Sequence, residues 1–234
     1  MKTITVGIGE NKNIKKACEL FNEDVEIKFV DNDSELIDAI LNPEIDAVIR
    51  GSLPASGVIK NLKKEFPDIS RATYVNGKYE FLLTPVGIDE GNSIEEKFKI
   101  AENCALFLKK LNKTPKIAIL ANGRKGDYGR SEEISKSIEE SEKLTELIKR
   151  DTEYNVKNYY ILIEQAINDG ANIIIAPDGI IGNIIFRTLI LVNKWPSYGA
   201  VTFGVNTIYI DTSRDQSVEG YLRSLELAYK LAKL

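Results

Sequence analysis

The chain contains no histidine. That excludes Ser-His-Asp triads, Cys-His pairs and His-ligated zinc or iron, and no metal site is expected. Any proton transfer falls to Asp, Glu, Lys, Tyr or a substrate group. Cysteine is scarce as well. Cys18 and Cys104 lie far apart, form no metal-type pair and fall within apolar helical patterns. A small core side chain is the main reading for each and a reactive thiol the lesser one. No run of about eighteen apolar residues occurs, so no membrane span is expected. The opening MKTITVGIGE reads as a strand, not as the apolar region of a signal peptide. A net charge of −4 and a pI near 5.2 leave no overall field for nucleic acid or an acidic membrane. These absences point to a cytoplasmic, reducing compartment, with neither nucleic acid nor membrane as partner. Arginine is sparse too, 8 of the 31 basic residues, so an Arg placed in a turn draws notice.

What is present is an α/β alternation. Ile4–Ile8, Val25–Val30 and Asp46–Ile49 read as strands. Helical patterns follow them at Asn13–Phe21, Ser34–Leu41 and Gly57–Phe66. Such alternation argues for a parallel sheet. Arg71–Val75 and Lys78–Leu83 flank Asn76-Gly77, a strong hairpin signal. Thr84–Asn92 reads as a linker. Ser93 then caps a long helix to Leu111, with Glu96 at the capping-box spacing. A second series follows: a strand at Lys116–Leu120, helices at Ser131–Ile148 and Val156–Asn168, and a buried strand at Ile173–Ala176. Beyond it come a helical Ile184–Val192, strands at Ala200–Phe203 and Ile208–Ile210, and a closing helix at Val218–Leu231. The expected architecture is α/β with two lobes and a cleft between them. The first lobe is residues 1–88 with 215–234, and the second is 89–214.

Four loops follow strands, where α/β sheets gather ligands. In ANIIIAPDGIIGNIIFRTLI, the apolar run breaks at Pro177-Asp178-Gly179. The chain is expected to turn through Gly182-Asn183 before a helix begins, a combination suited to an anion. The loop Asn122–Ser131 holds three glycines and three cations, including Lys125 beside Gly126. Glycines there admit an anion to the backbone, and the cations neutralise it. The turn Asp211–Asp215 offers Ser213 and Arg214, with Asp215 or Ser217 as the helix cap. Arg50–Gly57 offers Gly51 and Ser52. Each loop also has a plain reading as a solvated turn or helix cap. Gly7-Ile8-Gly9 lacks the third glycine of a dinucleotide fingerprint and carries little weight.

The phrases APDGIIGNIIFRTL, YIDTSRDQSVEGYLRSLELA and PKIAILANGRKGDYGRS resemble the phosphate acetyl/butyryl transferases, and the first also resembles the acyl-phosphate synthases of phospholipid metabolism. VIRGSLPASGVIK and the helix Ser93–Leu111 stand in matching order. The likeness runs from about Asp46 onward. Within that superfamily the chain is similar to the MtxX group of methanogenic archaea, also called methanogenesis marker protein 4, which carries a methyltransferase-subunit name. The resemblance implies two lobes of open, mostly parallel sheet of the isocitrate/isopropylmalate dehydrogenase-like (phosphotransacetylase) type. It implies a phosphate, acyl-phosphate or CoA-like ligand in the interlobe cleft, and a homodimer.

By the same resemblance Arg214 binds phosphate, joined by Ser213, Lys125, Gly126, Gly182, Gly51 and Ser52. Asn183 steadies a developing oxyanion, and Glu219 or Asp178 serves as base. The departure is at Gly220. Transacetylases place there, near the start of the last helix, the carboxylate that deprotonates the CoA thiol. Glu219 is one residue earlier, about 100° away on a helix. Glu164, in ILIEQA, is a further carboxylate that can face a cleft. Two expectations follow: a phosphotransacetylase-like transferase, or a methyltransferase subunit or accessory protein without acyltransferase activity that works with methyltransferase components. With no imidazole to ligate cobalt, any corrinoid would belong to a partner.

Overall fold

The computed structural model covers residues 1–234 and describes all of them apart from the side chain of Ser56. The chain forms two compact units, Met1–Arg71 with Pro196–Leu234, and Ala72–Trp195. The first unit comprises β1 (Lys2–Gly7), α1 (Asn13–Leu20), β2 (Val25–Val30), α2 (Asp33–Leu41), β3 (Ala47–Ile49) and α3 (Ala55–Glu65). It is completed from the far end of the sequence by β9 (Ser197–Phe203), β10 (Ile208–Asp211) and α8 (Val218–Ala232). Its strands run β2-β1-β3-β10-β9, parallel except for the β9–β10 pair. α1 packs with α8, and α2 with α3. The α2–α3 layer is apolar by periodicity: Leu36, Ile40, Val58 and Leu62 are fully buried and pack with Val48 and Tyr209 of the sheet. Asn32 starts α2 by accepting the Glu35 N–H at 3.0 Å.

The second unit comprises β4 (Ser70–Asn76, its first two residues lying in the first unit), β5 (Glu80–Thr84), α4 (Ile94–Lys110), β6 (Lys116–Leu120), α5 (Glu132–Asp151), β7 (Asn155–Tyr160), α6 (Ile163–Asn168), β8 (Ile173–Ile175) and α7 (Gly179–Phe186). A π-helical turn, Arg187–Val192, prolongs α7. The strand order is β4-β5-β8-β6-β7, parallel except for the β4–β5 hairpin. Ser93 and Ser131 cap α4 and α5 by accepting the N–H groups of Glu96 and Ile134. Among the described residues no helix is long and apolar enough to cross a membrane. Both cysteines are buried, and burial pushes the Cys18 thiol up to about 12, with Glu19 adding to it.

Three expectations from the sequence need revision. Residues 156–168 are not one helix but β7 followed by α6. Helix α7 begins at Gly179, not at Ile184, so Gly182 and Asn183 lie inside it instead of in a turn. Boundaries at 88/89 and 214/215 differ from the observed grouping. β5 (80–84) pairs with β8 of the second series, whereas β10 (208–211) pairs with β3 of the first.

Candidate functional site: the loops at the strand ends

In the first unit the crossovers from β1 and β3 lead to opposite sides of β1, toward β2 and toward β10. The carboxyl ends of those strands therefore form a switch point of the kind where α/β sheets bind ligands. Here the loops are sewn together. Ser52 Oγ accepts the Gly9 N–H at 2.8 Å, and the Ser52 N–H donates to the Gly7 carbonyl at 3.2 Å. Gly51 has φ +62°, and a Cβ on it would lie 1.9 Å from the Gly7 oxygen, so only glycine fits that crossing. Thr212 Oγ1 donates to the Gly51 carbonyl at 2.7 Å. Gly51 and Ser52 thus act first as a joint between loops.

The turn after β10 is braced from three sides. Arg50, 5% exposed, donates to Asp211, to the Leu53 carbonyl and to the Thr212 carbonyl. Arg71 donates to the other Asp211 oxygen at 2.8 Å. Burial alone would raise the Asp211 pKa. The two guanidinium groups outweigh it and hold the carboxyl below the usual range. Asn11 Nδ2 donates to the carbonyls of Arg214 and Gln216 at 2.9 and 3.0 Å. The Tyr221 hydroxyl, pushed up to about 12 chiefly by burial, stays protonated and lies 3.0 Å from the Ser213 and Arg214 carbonyls. With the backbone held, the Arg214 side chain stands 66% exposed, and its nearest carboxylate oxygen, on Asp215, is 4.0 Å away. A fixed backbone with an exposed guanidinium, its one ion pair at 4.0 Å, is suited to a planar, two-oxygen grip on phosphate.

Gly220 is the position at which the resemblance expects a carboxylate. Ser217 caps α8 by accepting the Gly220 N–H at 3.2 Å. The Gln216 side chain folds over this first turn, so that a Cβ on Gly220 would lie 2.4 Å from Gln216 Cδ. The space beside Gly220 is filled. Glu219 is exposed. Its own backbone N–H and the Ser217 hydroxyl hold its carboxyl below the usual range, which makes it a poorer base.

In the second unit the Gly-Asn phrase is a packing device. Asp178 is the N-cap of α7 and accepts the Ile181 N–H at 2.8 Å. The Gly182 N–H is already donated to the Asp178 carbonyl at 3.0 Å, so it is not free for an anion. Cβ atoms on Gly179 and Gly182 would lie 1.7 and 1.8 Å from the carbonyl oxygens of Gly87 and Pro85. Asn183 donates from Nδ2 to the Val86 carbonyl at 2.9 Å, leaving its second amide hydrogen available. Lys125 and Gly126 lie in a short 3₁₀ turn, Lys125–Asp127. Lys125 lines a hollow of about 410 Å³ with Glu142, Lys149 and Tyr160. Among the described residues no hydrogen bond or ion pair joins the 122–131 loop to Asp178, Gly182 or Asn183.

The expected site residues therefore fall in two groups. Gly51, Ser52, Ser213, Arg214, Glu219 and Gly220 belong to the first unit, and Lys125, Gly126, Asp178, Gly182 and Asn183 to the second. Sequence reasoning missed Asn11, Arg50, Gln216 and Tyr221 as braces. Only the scarcity of Arg, with Arg50 directly after a strand, hinted at one of them.

No family model matches the chain. An uncharacterised methyltransferase of Methanocaldococcus jannaschii is 40% identical over 232 residues, covering 94% of both chains. The candidate methyltransferase mtx subunit X of Methanosarcina barkeri is 34% identical, covering 86% of this chain and 75% of its own length. The mtx subunit X of Methanosarcina mazei is 37% identical over 79% of this chain and 66% of its own. Among solved structures, a branched-chain phosphotransacylase from Enterococcus faecalis superposes with a TM-score of 0.76 at 19% identity, covering 99% of both chains. A phosphotransacetylase from Streptococcus pyogenes gives 0.70 at 14% identity, covering 100% of this chain and 94% of that one. The structural matches establish the α/β phosphotransacetylase-type fold. The sequence matches go further: the chain belongs to the methyltransferase mtx subunit X family of methanogenic archaea.

Proposed function

We propose that this protein is an anion-binding subunit of a cytoplasmic methyl-transfer system. It holds a phosphate-bearing ligand on the Ser213–Arg214 turn and does not carry out CoA acyl transfer. The observation that carries this reading is the contrast within one loop. The Arg214 backbone is braced by Asn11 and Tyr221 and its side chain is exposed, held only by a 4.0 Å ion pair with Asp215, whereas the place of a thiol base at position 220 is filled by Gln216. Binding is kept and the proton acceptor is gone. The names of the relatives support the subunit role and methyltransferase components as partners.

An acetyl-CoA assay from acetyl phosphate and CoA tests the reading. Wild type is expected to show no turnover above the uncatalysed rate. Gly220→Asp alone is expected to show none either, because its carboxylate must displace the Gln216 side chain to reach the site. Acetyl-CoA formation by wild type at a rate typical of enzymes, about 1 per second or faster, would make the protein an acyltransferase after all.

A further inference from the structure

In the second unit β7 ends the sheet: β6 pairs with one side of it and no strand with the other. A strand paired on one side points the N–H and C=O of every second residue outward. Among the described residues, the backbone of residues 155–158 has no hydrogen bond beyond the ladder to β6. A hollow flanks this edge on each face. Toward α5, Val156 and Asn158 border the hollow of about 410 Å³ that also holds Lys125, Glu142, Glu146 and Lys149. On the other face Asn155 borders a hollow of about 340 Å³ with Lys116, Tyr159 and Asp169, and Lys157 reaches both. The carboxylates of the two hollows are engaged. Lys149 holds Glu146 at 3.0 Å, the Tyr160 hydroxyl donates to Glu142 at 2.9 Å, and Lys157 and Tyr159 hold Asp169 at 3.0 and 2.9 Å. The ammonium groups of Lys116 and Lys125, one in each hollow, are exposed and have no acceptor among the described residues.

We propose that the open edge of β7 takes up an extended acidic segment of a partner protein as an added strand. Main-chain hydrogen bonds to the outward groups supply the attachment, and the hollows read the side chains. The occupant is argued from charge and from the period of a strand. Each hollow keeps one unpaired cation, so each is completed by one carboxylate. The hollows lie on opposite faces, and successive side chains of a strand point to opposite faces. Two acids an odd number of positions apart on one extended segment therefore reach both, whereas a compact ligand in one hollow leaves the other cation unpaired. The edge is guarded against indiscriminate pairing by Lys157 and by the bulge opposite Ile119 and Leu120, so a segment without acids is disfavoured. The inference rests on the subunit reading only in expecting a partner protein, and what Arg214 binds does not enter it.

The probe is a fluorescein-labelled octapeptide, Thr-Val-Glu-Val-Thr-Glu-Val-Thr, whose two acids fall on opposite faces of a strand. Fluorescence anisotropy with the full chain is expected to show saturable binding. Lys116→Glu and Lys125→Glu, both at exposed positions, are each expected to weaken it about tenfold while the melting temperature holds. Thr-Val-Glu-Val-Thr-Val-Glu-Thr has the same composition with both acids on one face, and is expected to bind at least tenfold more weakly. Hydrogen exchange is expected to slow at the amides of residues 155–158 when the first peptide binds. Equal binding of the two peptides would show plain charge attraction and overturn strand addition. Binding that both Lys variants leave intact, or exchange unchanged at residues 155–158, would place the peptide elsewhere and overturn it too. No binding of the first peptide by wild type would overturn the docking edge itself, while phosphate binding by Arg214 would still be open to its own test.

Discussion

Asp211→Asn is expected to cost about 3–5 kcal/mol of stability in denaturant unfolding, the largest single-site loss outside the steric cases. Asp211 is 9% exposed and receives both Arg50 and Arg71. The amide keeps the shape but leaves two buried cations without their counter-charge. Asp38→Asn, the same change on the exposed face of α2, is expected to stay within about 0.5 kcal/mol. The effect also has a pH signature. The Asp211 carboxyl is held below its ordinary range in the folded protein, so the unfolded chain binds the proton first. Its contribution is complete above the ordinary Asp value of about 3.9 and is lost as pH falls through the folded value. Wild type should therefore lose this part of its stability below about pH 4, and the Asn variant should show a flatter acid limb. A wild-type and variant pair with parallel pH profiles and equal midpoints would show that the Arg50–Asp211–Arg71 cluster does not hold the Arg214 turn.

Gly182→Ala should cost about 3 kcal/mol or more, although alanine ordinarily stabilises a helix interior by about 1 kcal/mol relative to glycine. The added carbon would lie 1.8 Å from the Pro85 carbonyl oxygen, and backbone cannot step aside as a side chain can. Gly179→Ala, at 1.7 Å from the Gly87 oxygen, should behave alike. Gly126→Ala meets nothing within 4 Å and should be near neutral. Equal midpoints for Gly126→Ala and Gly182→Ala in urea unfolding would refute the packing role of the Gly-Asn phrase.

That phrase shows where sequence reading succeeds and where it stops. Gly-Asn is turn chemistry by local rules, and nothing local announces that Gly182 lies in a helix because Pro85 crosses it. The same limit governs residues 156–168. Val156, Tyr159, Ile163 and Ala166 are spaced as on a helix. In the fold, β7 pairs with β6 through a bulge that skips Tyr159, so Val156 and Tyr159 are both buried three residues apart on a strand. A bulge breaks the two-residue period and imitates the helical one. The cap at Ser93 was legible because its chemistry is local, Ser131 stood at the expected helix start, and Ser217 was one of two candidates for its cap, whereas Asp178 was read as a turn residue and not as the cap it is. The α/β alternation of both units was legible too. The braces of the Arg214 turn were not. Asn11 and Arg214 are distant in sequence, and only the order β1-β3-β10 makes their loops neighbours.

Calorimetric titration of wild type and Arg214→Ala with inorganic phosphate and with acetyl phosphate tests the central claim most directly. The expected result is one saturable site per chain in wild type, weakened at least tenfold in Arg214→Ala, about 1.4 kcal/mol or more, with an unchanged melting temperature in the absence of ligand. Equal binding by the two proteins, or no binding of either anion by wild type, would contradict it.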